Sequence, residues 1–153
     1  MGTMLGELSR DEIEHVLQSE VVGRIGCHAD GRTYVVPITY AYDGTCVYGH
    51  SAAGLKVAMM RSNPAVCFEV EQVDDLANWR SVIAWGDFEE LTGDEAVAGL
   101  RHLVDRLRPF MTSATAQPTH GLDGPAHQGD TAGHVPVLYR IRLTDRTGRF
   151  ERR

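Results

Sequence analysis

Cysteine is scarce in this sequence, lysine nearly absent, and a basic excess missing altogether. Cys27, Cys46 and Cys67 are an odd number at wide spacing, each inside an apolar-patterned segment. They read as small buried hydrophobes of a protein kept in a reducing compartment, and neither a disulfide framework nor a zinc-ligand spacing is present. Lys56 is the only lysine. Lysine and arginine together number 15 against 21 acidic residues, a net charge of −6, which speaks against general nucleic-acid binding. The balance still permits one small cationic pocket. No apolar run approaches the ~20 residues of a membrane span. Residues 1–7 lack a basic segment followed by an apolar one, so no secretory signal is expected, and Gly6 stands where a myristoylation signal needs Ser or Thr. These absences point to a cytoplasmic protein without a membrane segment.

What is present suits one ordinary domain over 1–153, with 42% hydrophobic residues to build a core. Ser9 followed by Glu12 is a capping-box signature, and Ile13, Val16 and Leu17 form one stripe of a short helix ending before Val21. The period then falls to two. Val21–Ala29, Thr33–Tyr42 and Cys46–Gly49 read as strands of an antiparallel meander turned by Asp30-Gly31 and Asp43-Gly44. Pro37 lies inside the second strand and must face an edge, a bulge or a ligand. A helix over Ala53–Arg61 ends at Asn63-Pro64, and Val66–Val73 and Trp79–Leu91 are two further strands. Thr92 with Glu95 predicts a second capping box, ahead of a helix of about four turns with Val97, Leu100, Val104 and Leu107 on its apolar face. From 109 to 134 neither period holds, and a loop of that length covers a ligand or is disordered. Val135–Leu143 alternates again as a closing strand. The expected fold is α+β, a six-stranded antiparallel β-barrel with inserted helices.

Chemistry concentrates in Tyr48-Gly49-His50-Ser51-Ala52-Ala53-Gly54-Leu55-Lys56. A strand ends, small residues follow and a helix begins, so free N–H groups and a positive dipole end favour an anion there. Ser51 and His50 add donors, and Lys56 lies within reach in the first helical turn. The ordinary alternative is a solvated turn followed by a surface lysine. His120, His127 and His134 recur at seven-residue intervals, but the Gly and Pro around them fix no metal geometry, and solvated loop histidines are the better reading. Trp79 and Trp85 share one face of a strand, where packing in a core or an interface is the usual role.

Val36-Pro37-Ile38-Thr39-Tyr40, Tyr48-Gly49-His50-Ser51 through Lys56, Arg61-Ser62-Asn63-Pro64, Trp79-Arg80-Ser81-Val82 and Gly86 occur in an order that resembles the split-barrel flavoproteins related to pyridoxamine 5′-phosphate oxidase, in particular the nitroimidazole-resistance-like branch. The likeness covers about residues 8–108. It implies a split barrel that forms a homodimer with FMN between the two barrels and acts as an oxidoreductase on a small-molecule substrate. Val36, Pro37 and Ile38 would then face the flavin ring, partly through backbone groups. His50, Ser51 and Lys56 would hold the phosphate, and Arg80 and Ser81 would contribute contacts near the ring. Arg24 and Arg61 are additional candidates for the phosphate. His50 is the titrating group nearest the ring, although a hydrogen bond to phosphate or to structure is its plainer role, and no catalytic residue is assigned. The arginine- and histidine-containing substrate motif of the oxidase has no equivalent in Val137-Leu138-Tyr139-Arg140-Ile141-Arg142-Leu143, so vitamin B6 oxidation is not implied. Haem or a deazaflavin on the same barrel, or a non-catalytic flavin-binding module, are the competing readings.

Overall fold

A computed structural model describes residues 2–111 and 136–153. In chain order these form β1 (Met4–Glu7), α1 (Arg10–Ser19), β2 (Val22–Ala29), β3 (Arg32–Thr39), β4 (Ala41–Tyr42), β5 (Cys46–Ala52), α2 (Leu55–Ser62), β6 (Ala65–Asp75), β7 (Asn78–Glu90), α3 (Gly93–Leu107), a 3-10 turn (Arg108–Phe110) and β8 (Pro136–Arg152). Local chemistry explains α1. The Glu12 N–H donates to Ser9 Oγ at 3.2 Å and the Ser9 N–H donates to Glu12 Oε1 at 3.0 Å, so both halves of the capping box form. Ile13, Val16 and Leu17 then face the core. At the β2–β3 turn Asp30 and Gly31 take φ of 53° and 75°, the left-handed pair that matches the twist of a two-residue hairpin.

All strand pairs are antiparallel, in the order β3-β2-β6-β7-β8-β5-β4, with β1 added to β8. The first and last strands of this order, β3 and β4, are consecutive in the chain with Tyr40 alone between them. A flat sheet cannot bring its two edges within one residue of each other, so the sheet is curled into a barrel. Tyr40 seals that seam. It is fully buried, meets Phe68 edge-on at 4.9 Å between ring centroids, and donates its O–H to the Leu17 carbonyl at 2.8 Å. The core fills with Ile25, Val47, Val70, Val82, Ala84 and Ile141 from the inward faces of the strands. No helix among the described residues is long and apolar enough to cross a membrane.

The fold class is α+β as expected, with eight strands in place of six. The predicted strand Thr33–Tyr42 breaks at Tyr40 into β3 and β4, because the chain passes there from one sheet edge to the other. The strand β1 carries no periodicity and exists through its pairing with β8, Met4 opposite Arg152 through Glu7 opposite Arg149. The closing strand runs from Pro136 to Arg152, well past Leu143. At α3 the predicted Thr92–Glu95 box does not form: Thr92 makes no side-chain cap bond, since Gly93 at φ 60° takes the first turn out of the right-handed region. The buried face of α3 is Gly99, Leu103 and Leu107, whereas Val97 is exposed. Gly99 sets this rotation, for a Cβ there would lie 3.0 Å from Leu91 and 3.2 Å from Tyr48. Of the predicted loop over 109–134, Pro109 and Phe110 lie in the 3-10 turn. Residues 112–134, with His120, His127 and His134, lie outside the described residues.

Candidate functional site

The seam that joins β3 to β4 also opens the barrel on one side. The strands β4 and β5 pair at Ala41 with Tyr48 and at Tyr42 with Val47. One and two steps further in this register Tyr40 and Thr39 would oppose Gly49 and His50, but the ladder stops. Past that point β3 pairs with β2 and β5 with β8, and the facing edges of the two strands part. Val36, Pro37 and Ile38 thus lie on one edge of a split, and His50 and Ser51 on the other, with Lys56 in the first turn of α2. An edge strand is where a proline's missing N–H is tolerated. Side chains alternate along β3: Pro37 points outward, Ile38 into the core, and Val36 is half-buried against it. A ligand in the split therefore meets Val36 and Ile38 through the backbone.

His50 and Lys56 define the electrostatics of this end. His50 Nδ1 is buried without a hydrogen-bond partner among the described residues. Burial, and then the Lys56 ammonium, push the imidazole below its ordinary value. Burial also pulls the Lys56 ammonium down. Among the described residues no carboxylate lies within ion-pair distance of Lys56. The Ser51 hydroxyl donates to the Ala52 carbonyl at 2.8 Å, a local bond that a better acceptor can replace. Burying a cation is unfavourable unless something balances it. The partly buried Lys56 ammonium, with His50 Nδ1 also unpartnered among the described residues, has the chemistry of a seat for an anion.

The other candidate cations behave differently. Arg24 Nη1 lies 3.3 Å from Glu69 and 3.2 Å from Glu71, and Arg61 is paired with Glu90. Neither is free for a phosphate. Arg80 and Ser81 are not with His50 in this chain: β7 meets the β5 end of the barrel at Glu90, which opposes Tyr139, itself opposite Gly49. Ser81 is nine residues back along the strand, about 30 Å at roughly 3.3 Å per residue. Arg80 lines a cavity of about 600 Å³ with Trp79, Gln72, Phe150 and Arg152 at that far end. Trp79 and Trp85 do share the outer face of β7, where the Trp79 indole N–H donates to Glu151 at 3.1 Å and Trp85 is 43% exposed. Trp85 borders an apolar groove of about 490 Å³ with Gly26, Val35 and Cys67. Cys27 and Cys46 are buried and Cys67 is half-buried, all as free thiols.

Sequence reasoning missed Glu69 and Glu71. Their spacing of two on a strand already places both carboxylates on one face. The alternation of β6 makes this the outer face, and register carries it across the sheet: Pro37 opposes Arg24, Arg24 opposes Glu69, and Glu69 opposes Ile83, while Glu71 opposes Ser81. Pro37 and Ser81, assigned to the ring by resemblance, thus share one surface, with an Arg–Glu–Glu cluster between them.

Comparison with known proteins locates this architecture. The family model described as pyridoxamine 5′-phosphate oxidase matches residues 9–150. An uncharacterized protein of Rhizobium meliloti (strain 1021) is 36% identical over 145 residues, covering 93% of this chain and 92% of its own. The crystal structure of a FAD-binding protein from Mesorhizobium loti aligns with a TM-score of 0.78 at 29% identity, over 99% of this chain and 100% of that one. A protein from Bacteroides thetaiotaomicron, proposed to confer 5-nitroimidazole antibiotic resistance, shares the fold with a TM-score of 0.70 at 17% identity, over 99% and 92% of the two chains.

Proposed function

Because this chain belongs to the pyridoxamine 5′-phosphate oxidase family, we propose that it binds a flavin, FMN, and serves as an oxidoreductase for a small organic substrate. The observation that carries this reading is the pair of polar groups at the split, His50 Nδ1 and the Lys56 ammonium, that meet no partner among the described residues. They fit the phosphate of a flavin nucleotide: Lys56 supplies charge, His50 and Ser51 supply hydrogen bonds, and the small residues between them let the phosphate approach the backbone. The flavin, once bound, supplies hydride or electron transfer. The chain's own residues bind and orient it. The edge of β3 at Val36–Ile38 offers unpaired backbone groups to the ring, and the outward ring of Pro37 leaves no N–H to satisfy.

The separation of Ser81 from Lys56 supports a homodimer. A second copy can bring its own Ser81 to a ring held by the first, and the outer face that carries Ser81 also carries Val35, Ile83 and Trp85 exposed in the single chain, as an interface needs. Vitamin B6 oxidation stays outside this reading, because Val137–Leu143 lacks the arginine- and histidine-containing substrate motif of the oxidase. FAD is the second reading, favoured by the FAD-binding protein of Mesorhizobium loti at 29% identity.

The absorption spectrum of the purified protein tests the flavin, and titration of the apoprotein with FMN and FAD in parallel separates the two. Tighter binding of FMN supports the first reading and tighter binding of FAD the second. A haem spectrum, or no binding of either nucleotide, overturns both. Sedimentation of the flavin-loaded protein tests the dimer, and a monomeric mass with flavin bound would contradict it. NADH or NADPH reduction of the bound flavin supports the oxidoreductase role, whereas binding without reduction by either, across several substrates, favours a non-catalytic module.

A further inference from the structure

The far end of the barrel carries a cavity that the flavin reading leaves unused. Register sets Gln72 of β6, Arg80 of β7 and Phe150 of β8 side by side. One step inward on the same faces stand Val70, Val82 and Gly148, all buried. Arg80 therefore rises from the last layer of the core, off the inward face of β7. It is half-buried and lines a cavity of about 600 Å³, the size of a small-molecule site. Arg152 lines the same cavity, its guanidinium carbon 4.3 Å from the centre of the Phe150 ring.

Neither guanidinium meets a carboxylate among the described residues, whereas Arg24, Arg61, Arg140, Arg142 and Arg146 each hold one. The difference is not a shortage of acids. Glu20, Asp74 and Glu151 line the cavity together with the two arginines. Glu20 instead accepts from Gln72 Nε2 at 3.2 Å, and Glu151 accepts from the Trp79 indole N–H at 3.1 Å. From α1 the facing acid is Glu12, which is committed to its capping box. The Ser9 bonds, ahead of the Arg152 and Arg80 charges, hold its carboxyl below the usual range. Two guanidiniums thus share one cavity without an acceptor, an arrangement that is unfavourable until an anion enters. Their planar N–H forks suit a carboxylate. The three acids on the same walls oppose a second negative charge.

We propose that this cavity is a second ligand site, which takes a small organic molecule through a single carboxylate held by Arg80 and Arg152. The ligand class is an organic acid of one negative charge, unlike the phosphate-bearing nucleotide at the split. Arg80 faces this cavity from the inner side of β7 while Ser81 faces outward, so the two neighbours belong to different surfaces. The site does not depend on a bound flavin.

Benzoate, phenyl phosphate and benzamide are the probes, followed by proton–nitrogen NMR of the purified full-length protein. The chain has two tryptophans and therefore two indole N–H signals, which a Trp85→Phe variant assigns. Trp79 lines the cavity and Trp85 borders the outer groove, so benzoate should move the first signal to a plateau at millimolar concentration and leave the second in place. Phenyl phosphate should bind several-fold more weakly, and benzamide should give no shift. Arg80→Gln should weaken benzoate by about tenfold or more. Arg152→Gln, at an exposed position, should also weaken it and carries the test if Arg80→Gln folds poorly. Lys56→Ala should leave benzoate affinity unchanged. A Trp79 signal that does not move, a shift that never saturates, or equal affinity in wild type and both arginine variants would overturn the site. Loss of benzoate binding in Lys56→Ala would overturn it too, by placing the anion at the split. Tighter binding of phenyl phosphate than of benzoate would overturn the carboxylate assignment.

Discussion

Arg140 on β8 and Lys56 in the first turn of α2 are both cations of this barrel, and the fold treats their charges in opposite ways. Arg140 stands opposite Tyr48 and donates Nε–H to Glu89 at 2.6 Å, with Glu95 3.8 Å from its other nitrogen. Arg142 holds the second oxygen of Glu89 at 2.8 Å. The hydrogen bond from Arg142 and then that from Arg140 keep the Glu89 carboxyl below its usual range, while Glu89 pushes Arg140 up. Lys56, by contrast, is half-buried beside a histidine, is depressed by burial, and meets no carboxylate among the described residues. A charge that the chain neutralises itself belongs to the wall of the barrel. A charge left without a partner at a split is offered to something else. Arg24 and Arg61, singled out with Lys56 by their type, fall on the wall side of this division.

If that division is right, changes in the wall alter stability and changes at the split alter affinity. The largest effect belongs to Gly86→Ala. A Cβ at Gly86 would sit 2.2 Å from the Arg142 carbonyl oxygen, at the bulge where β7 meets β8, and neither backbone can yield easily. Overpacking of this kind is expected to cost about 3 kcal/mol, seen as a lower urea midpoint; an unchanged midpoint would contradict the tight β7–β8 contact. Next comes Lys56→Ala, expected to weaken FMN binding by roughly 1.5–3 kcal/mol, on the order of 10- to 100-fold, with an unchanged denaturation curve. Equal affinity in the two proteins would remove the phosphate seat.

Glu89→Gln should lower stability by about 1 kcal/mol at neutral pH and leave FMN affinity intact. Because the folded carboxyl lies below the ordinary value of 4.5, this contribution is complete above that value and disappears as pH falls through the folded one. Acid titration of stability checks the sign, since the wild-type and variant curves should converge at low pH. A gap that persists in acid would show that packing, not charge, is lost. The smallest change is Tyr139→Phe. The Tyr139 hydroxyl is fully buried without a partner among the described residues. Removing it should leave stability within about 1 kcal/mol of wild type or raise it; a large loss in the thermal melt would reveal a partner for that hydroxyl.

Much of the scaffold was legible because short-range chemistry wrote it. Ser9 and Glu12 form their box, Asp30-Gly31 turns the first hairpin, and the alternation of Val82, Ala84 and Phe88 is the buried side of β7. What escaped depends on partners distant in sequence. Nothing in Met4–Glu7 marks a strand until Arg149–Arg152 lies beside it. One miss was local: the Thr92–Glu95 spacing promised a cap that the adjacent left-handed Gly93 cancels. At the site, Lys56 was conspicuous as a lone lysine beside small residues. The pairing of Arg24 with two glutamates 45 and 47 positions away follows from sheet register, which no local pattern encodes. The division of Pro37 from Ile38 onto opposite faces follows from strand alternation and was open to inference.

The strand β8 joins β7, β5 and β1 in one continuous ribbon, and it follows all of them in the chain. During synthesis β5 and β7 therefore leave the ribosome with bare edges that only a later segment can cover. Such edges attract other chains. The nascent polypeptide stays vulnerable until β8 is made, and a ribosome that stalls before Pro136 leaves an open sheet with two adhesive margins.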